Sequence, residues 1–191
     1  MLRRRFRWPL VRQARAVATL AVLLVLLSTT AGCSLYPKKP CAPRATAALG
    51  YERDEYAVVR LMYATDRNTV RTDVLTDLFG NDRSDSLKYG WCEVSIPSGH
   101  HAGRVESPLL GPARPEHHVA LLTVGPPEDP AAVFEALDRR VSESEKREVF
   151  VFVHGYAVRF EDAARRAAQI AHDMRFDGVC VLYSWPARGW L

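Results

Sequence analysis

Apolar residues along this chain fall into short runs, and the period inside each run separates strands from helices. Residues 56–64 (Tyr-Ala-Val-Val-Arg-Leu-Met-Tyr-Ala) predict a strand, ended by the polar turn Thr65-Asp66-Arg67-Asn68. Residues 69–88 are mixed and charged, with Gly80-Asn81-Asp82 read as a loop. A second strand is predicted over 89–96, closed by Pro97-Ser98-Gly99, and a third over 118–124, stopped by Gly125-Pro126-Pro127. Residues 103–116, which contain Gly and Pro, lie between them as a loop. The period then changes. Pro130 suits a first helical turn, and Val133, Phe134, Leu137 and Val141 form an apolar stripe that predicts a helix over 130–141.

Residues 149–153 are apolar at every position, the pattern of a strand covered on both faces of a parallel sheet. From Phe160, apolar residues recur at 160, 163, 164, 167, 170, 171 and 174, a one-sided helical stripe. Glu161 and Asp162 complement the dipole at its start, and Asp177-Gly178 supplies its stop. Residues 179–183 are again apolar throughout. Strand, helix, strand at this spacing predicts a parallel crossover and an α/β fold.

One apolar run is of another kind. Residues 16–27 are apolar except for Thr19, follow six arginines, and precede the small residues Ser28-Thr29-Thr30-Ala31-Gly32. That is the plan of an export signal, and the run is short for a bilayer-spanning helix, which needs about 20 residues. Ala31-Gly32-Cys33 resembles a bacterial lipobox, with Cys33 the acylated residue; an ordinary secretory signal or an uncleaved anchor are the alternatives. Arg3-Arg4-x-Phe6 also hints at twin-arginine export. The chain therefore divides into a signal (1–32), a Pro-, Lys- and Ala-rich tether (33–52) and a domain (53–191), and it is expected in the cell envelope, anchored to a membrane by lipid. Setting aside six arginines turns the net charge from +4 to −2. The basic character belongs to the signal, so no nucleic-acid partner is expected. An oxidising compartment permits a disulfide. Cys180, inside an apolar run, reads as a buried small hydrophobe, which leaves Cys41–Cys92 as the more plausible pair.

The candidate chemistry sits at His154-Gly155-Tyr156, where the apolar run ends. Ligands of open α/β sheets bind at the carboxyl ends of strands, and a glycine there frees the following N–H groups to hold an oxyanion. The Tyr156 amide is the candidate donor, Gly155 the residue that lets the backbone turn, and His154 a supporting side chain packed under the loop. The plain alternative is a strand-to-loop turn in which Gly155 only permits the bend. The pairs His100-His101 and His117-His118 lack metal-ligand spacing on a helix, and neighbours in a strand face opposite sides, so they read as loop histidines and no metal site is expected. Asp66-Arg67 reads as an ion pair that fixes a strand end. Trp185-Pro186 reads as a pocket wall or a plug beyond the last strand.

Four ordered motifs change the weighting: Tyr63-Ala64-Thr65-Asp66-Arg67; Tyr89-Gly90-x-Cys92-x-Val94-Ser95-Ile96-Pro97-x-x-His100-x-x-Gly103; Val153-His154-Gly155-Tyr156 with Phe160-Glu161-Asp162-Ala163-Ala164; and Leu182-Tyr183-Ser184-Trp185-Pro186 with Gly189. Over residues 56–191 the chain resembles the N-terminal portion of a bacterial family of α/β hydrolases of the esterase/lipase superfamily, first catalogued as a domain of unknown function and often lipoproteins. The resemblance implies a partial α/β-hydrolase fold, a mostly parallel sheet with flanking helices, and an oxyanion loop at His154-Gly155-Tyr156. It implies a serine mechanism on ester or acyl substrates with no cofactor, and a nucleophile in a Gly-His-Ser-Met-Gly-like elbow followed by an acid and a histidine. No Gly-x-Ser-x-Gly occurs in the 191 residues, and Ser184 lacks the flanking glycines of an elbow. The chain is thus expected to be inactive alone, or else a non-enzymatic envelope lipoprotein that uses the scaffold to bind. It departs from the family at Ala157, where Asn is common, and at Arg159, where a capping Ser is common. A sheet ending near Tyr183 is expected to leave one strand without a partner and to make the chain prone to aggregate.

Overall fold

The computed structural model describes residues 50–187, apart from 71 and 73. The predicted export signal, Cys33, Cys41, nearly all of the predicted tether, and Gly189 lie outside the described residues. Six strands form one sheet: β1 (Gly50–Glu52), β2 (Tyr56–Thr69), β3 (Phe79–Pro97), β4 (Ala120–Val124), β5 (Glu148–Val153) and β6 (Gly178–Ser184). Two helices, α1 (Pro130–Glu143) and α2 (Phe160–Asp173), flank it. The strand order is β4-β3-β2-β6-β5, with β1 also pairing to β2. The pairings β1–β2, β2–β3 and β3–β4 are antiparallel, and β2–β6 and β6–β5 are parallel. The α/β class and the flanking helices are as expected; the mostly parallel sheet that the resemblance implies is not found among the described residues, where three of the five pairings are antiparallel.

Alternation sorts the core onto two faces, because successive strand residues point to opposite sides. Val59, Leu61, Tyr63, Cys92, Val94, Cys180 and Leu182 pack on one face with α2, which presents Ala163, Ala164, Ala167, Ala168 and Ala171, each with no exposed surface. These five alanines let the helix backbone come close to the sheet, while Phe160 fills the space at its first turn. Met62, Trp91 and Val179 pack on the other face against Val133 of α1, with Leu137 and Val141 beside them. Phe134 departs from the predicted stripe: it is half exposed and leans on Tyr89, ring centroids 5.3 Å apart. Both remaining cysteines are free buried thiols. Cys180 behaves as the small hydrophobe expected, with burial pushing its thiol up to about 12. Cys92 lies across β2 from it, since both pair with Leu61 from opposite sides.

Two expectations are corrected. First, Thr65-Asp66-Arg67-Asn68 is not a turn, and Gly80-Asn81-Asp82 is not a loop. β2 and β3 continue through them as a long hairpin, with Arg67 opposite Arg83 and Thr69 opposite Phe79 across two irregularities in register. The polar residues persist in the strands because Thr65, Asp66 and Arg67 are buried with partners, whereas Asn81, Asp82 and Arg83 face solvent. Secondly, the fully apolar run 149–153 is not covered on both faces. Phe150 and Phe152 pack toward α2, but Val149, Val151 and Val153 are 42%, 56% and 56% exposed. β6 inserts between β2 and β5, so among the described residues β5 is the parallel strand with one open edge, and β4 is the outer strand at the other end of the order.

An open edge bearing a row of exposed valines is a surface on which copies can pair. Val151→Lys is expected to lower self-association, read by light scattering across a concentration series, without loss of circular dichroism.

Candidate functional site

The carboxyl ends of β2, β5 and β6 meet at one buried guanidinium. Arg67, on β2, has no exposed surface. Its Nε donates to Ser184 Oγ (2.9 Å), Nη1 to the Gly80 carbonyl (3.1 Å) and Asn81 Oδ1 (3.0 Å), and Nη2 to the Val158 carbonyl (2.6 Å). His154 Nε2 lies 3.4 Å from Nη2 and 3.1 Å from Ser184 Oγ. A buried guanidinium is tolerated when its donors are matched in this way. Asp66 does not pair with it. Neighbours on a strand face opposite sides, and Asp66 Oδ2 instead bonds Arg83 Nη1 at 2.5 Å. The expected Asp66–Arg67 ion pair is therefore replaced by two separate sets of contacts. Thr65 completes the join by donating Oγ1 to the Ser184 carbonyl (2.5 Å) and accepting the Arg67 amide (3.1 Å).

The network assigns the state of His154. Nε2 faces two donors, the Arg67 guanidinium and the Ser184 hydroxyl, and so accepts. Nδ1 is 2.8 Å from the Gly155 carbonyl and so carries the hydrogen. The ring is neutral: burial lowers its pKa from the ordinary 6.5, and the Arg67 charge lowers it further. Trp185 closes the top, stacked on the imidazole at 5.4 Å and 9° and donating Nε1 to the His154 carbonyl at 3.0 Å. Trp185 is thus a plug over His154. His154 is buried beneath that ring.

Gly155 and Tyr156 begin the turn after β5. Gly155 lines an open cleft of about 420 Å³ together with Val105, Ser107, Phe152, Val158 and Arg166. The Tyr156 ring stands outside it, the residue being 65% exposed. Nothing lies within 4 Å of where a Cβ on Gly155 would be, and its φ is not in the left-handed region. The strained position is the next but one: Ala157 has φ 57°. A side chain with a Cβ is held there at a cost of about 1–2 kcal/mol, which Asn tolerates better. Arg159 precedes α2 with extended backbone and no side-chain cap, a loss of about 1 kcal/mol relative to Ser. Its 3.6 Å contact with Asp77 joins two exposed groups and returns little. Both departures noted in the sequence are physical ones.

The opposite wall of the cleft is the long segment between β3 and β4, and Arg165 of α2 holds it. Its Nε donates to the Val119 carbonyl (2.6 Å), and Nη2 to Ser107 Oγ (2.5 Å) and the Glu106 carbonyl (3.3 Å). His117 and His118 stay apart from the cleft. His118 Nδ1 accepts the Arg114 amide at 2.9 Å, a turn contact. His100 is a separate case, taken up below.

Because the folded-state pKa of His154 is depressed, its neutral form contributes stability that is complete above about pH 6.5 and lost as pH falls below it, where the unfolded chain takes up the proton. One proton limits the slope to about 1.4 kcal/mol per pH unit. His154→Gln is expected to flatten the fall in unfolding free energy between pH 7.5 and 5.5, measured by urea titration. An unchanged slope would show that the imidazole is not held neutral.

No curated protein and no solved structure matches the chain. The sheet with its two helices is consistent with a partial α/β-hydrolase fold, and residues 129–191, which span α1, β5, α2 and β6, match the family described as alpha/beta hydrolase of unknown function (DUF900).

Proposed function

We propose that this chain is the oxyanion-side portion of a lipid-anchored serine α/β hydrolase that acts on carboxylic esters or related acyl bonds. The observation that carries the reading is Gly155. It lines the cleft at the carboxyl end of a parallel strand, and neither crowding nor a left-handed φ requires glycine there. A glycine that its own fold does not need is explained by a ligand that comes close to the backbone. The Tyr156 amide is the proposed oxyanion donor, and the Arg67 network fixes the loop that carries it. Such preorganised donors act without rearrangement as charge develops, and losing one typically costs about 10²–10³ in rate.

The nucleophile is proposed to come from a further strand laid along the open edge of β5. Ser184 does not replace it. It has no exposed surface, and its Oγ is occupied by Arg67 and His154. A serine-directed fluorophosphonate is therefore expected to leave the 191-residue chain unlabelled; stoichiometric labelling would overturn the assignment.

Cys33 is proposed as the lipid attachment site, supported by the run of arginines, apolar residues and small residues before it. Radiolabelled palmitate is expected to enter the chain made in bacteria and to be lost in Cys33→Ala. Equal labelling of both would sink the anchor.

A further inference from the structure

Away from the cleft mouth, the segment after β3 meets the last turn of α2 through a cluster that the proposed hydrolase chemistry does not use. His100 is bracketed by carboxylates: Nδ1 lies 2.8 Å from Glu106 Oε2, and Nε2 2.9 Å from Asp173 Oδ1. The ring of His172 stands at 81° to that of His100, centroids 5.6 Å apart. Its Nδ1 is buried and has no hydrogen-bond partner. Asp173 Oδ1, at 3.9 Å, is beyond hydrogen-bond reach.

We propose that His100 Nε2, His172 Nδ1 and Asp173 Oδ1 bind a divalent first-row transition-metal ion of the zinc type. One ligand atom from each of the three residues lies within 4.8 Å of the others. Zinc at about 2.0–2.1 Å from each ligand needs ligand atoms about 3.3–3.5 Å apart, and the observed 2.9 Å and 3.9 Å fall on either side of that spacing.

The surroundings orient the ligands as a metal requires. Glu106 takes the Nδ1 hydrogen of His100, which presents Nε2 as the donor atom, the carboxylate–histidine–metal arrangement. The other oxygen of Asp173 is occupied by the Gly103 amide (2.6 Å) and by Gln169 Nε2, leaving Oδ1 for the ion. Glu106 and Asp173 together balance a dication once both imidazoles are neutral. The position also has a use. The ion would tie the segment that carries Val105 and Ser107, one wall of the cleft, to α2. Three protein ligands leave a fourth position for water.

Zinc titrated calorimetrically into the full 191-residue chain is expected to bind at one site. Cobalt in its place is expected to give visible d–d absorption without a thiolate charge-transfer band, since no cysteine is a ligand. His172→Ala removes a ring nitrogen that bonds nothing here, so its fold should survive, as circular dichroism will show. It is expected to weaken zinc binding at least tenfold, and Glu106→Gln, which disturbs the orienting partner, about tenfold. His117→Ala, remote from the cluster, is expected to bind as before. The proposal fails if no saturable binding occurs, if the cobalt spectrum shows thiolate, or if His172→Ala binds zinc as tightly as the parent chain.

Discussion

The buried Arg67 guanidinium is the constraint on which this architecture turns. A charge taken from water must be surrounded by acceptors or it costs several kcal/mol. The acceptors here come from four places: β3 (Gly80, Asn81), the end of β6 (Ser184), the end of β5 (His154) and the turn beyond it (Val158). None of these elements can move away without leaving donors unmatched. This one side chain near the end of β2 therefore fixes the height at which β5 and β6 stop and the path of the loop carrying Gly155. Removing it would leave His154 and Ser184 facing each other with the guanidinium volume empty.

The remaining parts arrange themselves around that joint. The alanine face of α2 lies against the sheet on the same side as Tyr63, whose hydroxyl donates to the Gly125 carbonyl at 2.8 Å and whose ring meets Phe79 and Phe160 edge-on. Gly90 exists for that ring. A Cβ there would stand 2.5 Å from the Tyr63 hydroxyl, so Tyr63 and Tyr89-Gly90, which occur in separate motifs, are one packing unit. Arg165 then draws the segment between β3 and β4 onto α2, which gives the cleft its second wall.

The helices and the parallel pair β5–β6 were legible because their periods are strong and their ends carry Pro130, Asp177 and Gly178. The hairpin of β2 and β3 was misread because polar side chains normally mark turns. In this chain Thr65 and Arg67 are polar for the sake of the joint, and nothing local distinguishes the two uses. An arginine directly after an apolar strand and within an ordered motif was the one available signal. Exposure of β5 was illegible for another reason. Apolar periodicity reports that both faces of a strand are built to be covered, while strand order decides which face is covered. The His100, His172 and Asp173 cluster joins positions more than 70 residues apart in the chain. Spacing rules cannot register such a group.

The central position of β6 has a kinetic consequence. Contacts between β2 and β6 link residues such as Thr65 and Ser184, 119 apart, whereas β5 and β6 are separated by about a quarter of that distance. Two doublings of loop length add about 1.2 kcal/mol of closure entropy, and non-local pairing of this kind slows folding. The middle of the sheet is consequently the last part to close. Until the segment 178–184 arrives, residues 61–65 of β2 lack their partner on one edge and Arg67 is still hydrated, so a chain emerging during synthesis stays unlocked until β6 has been made.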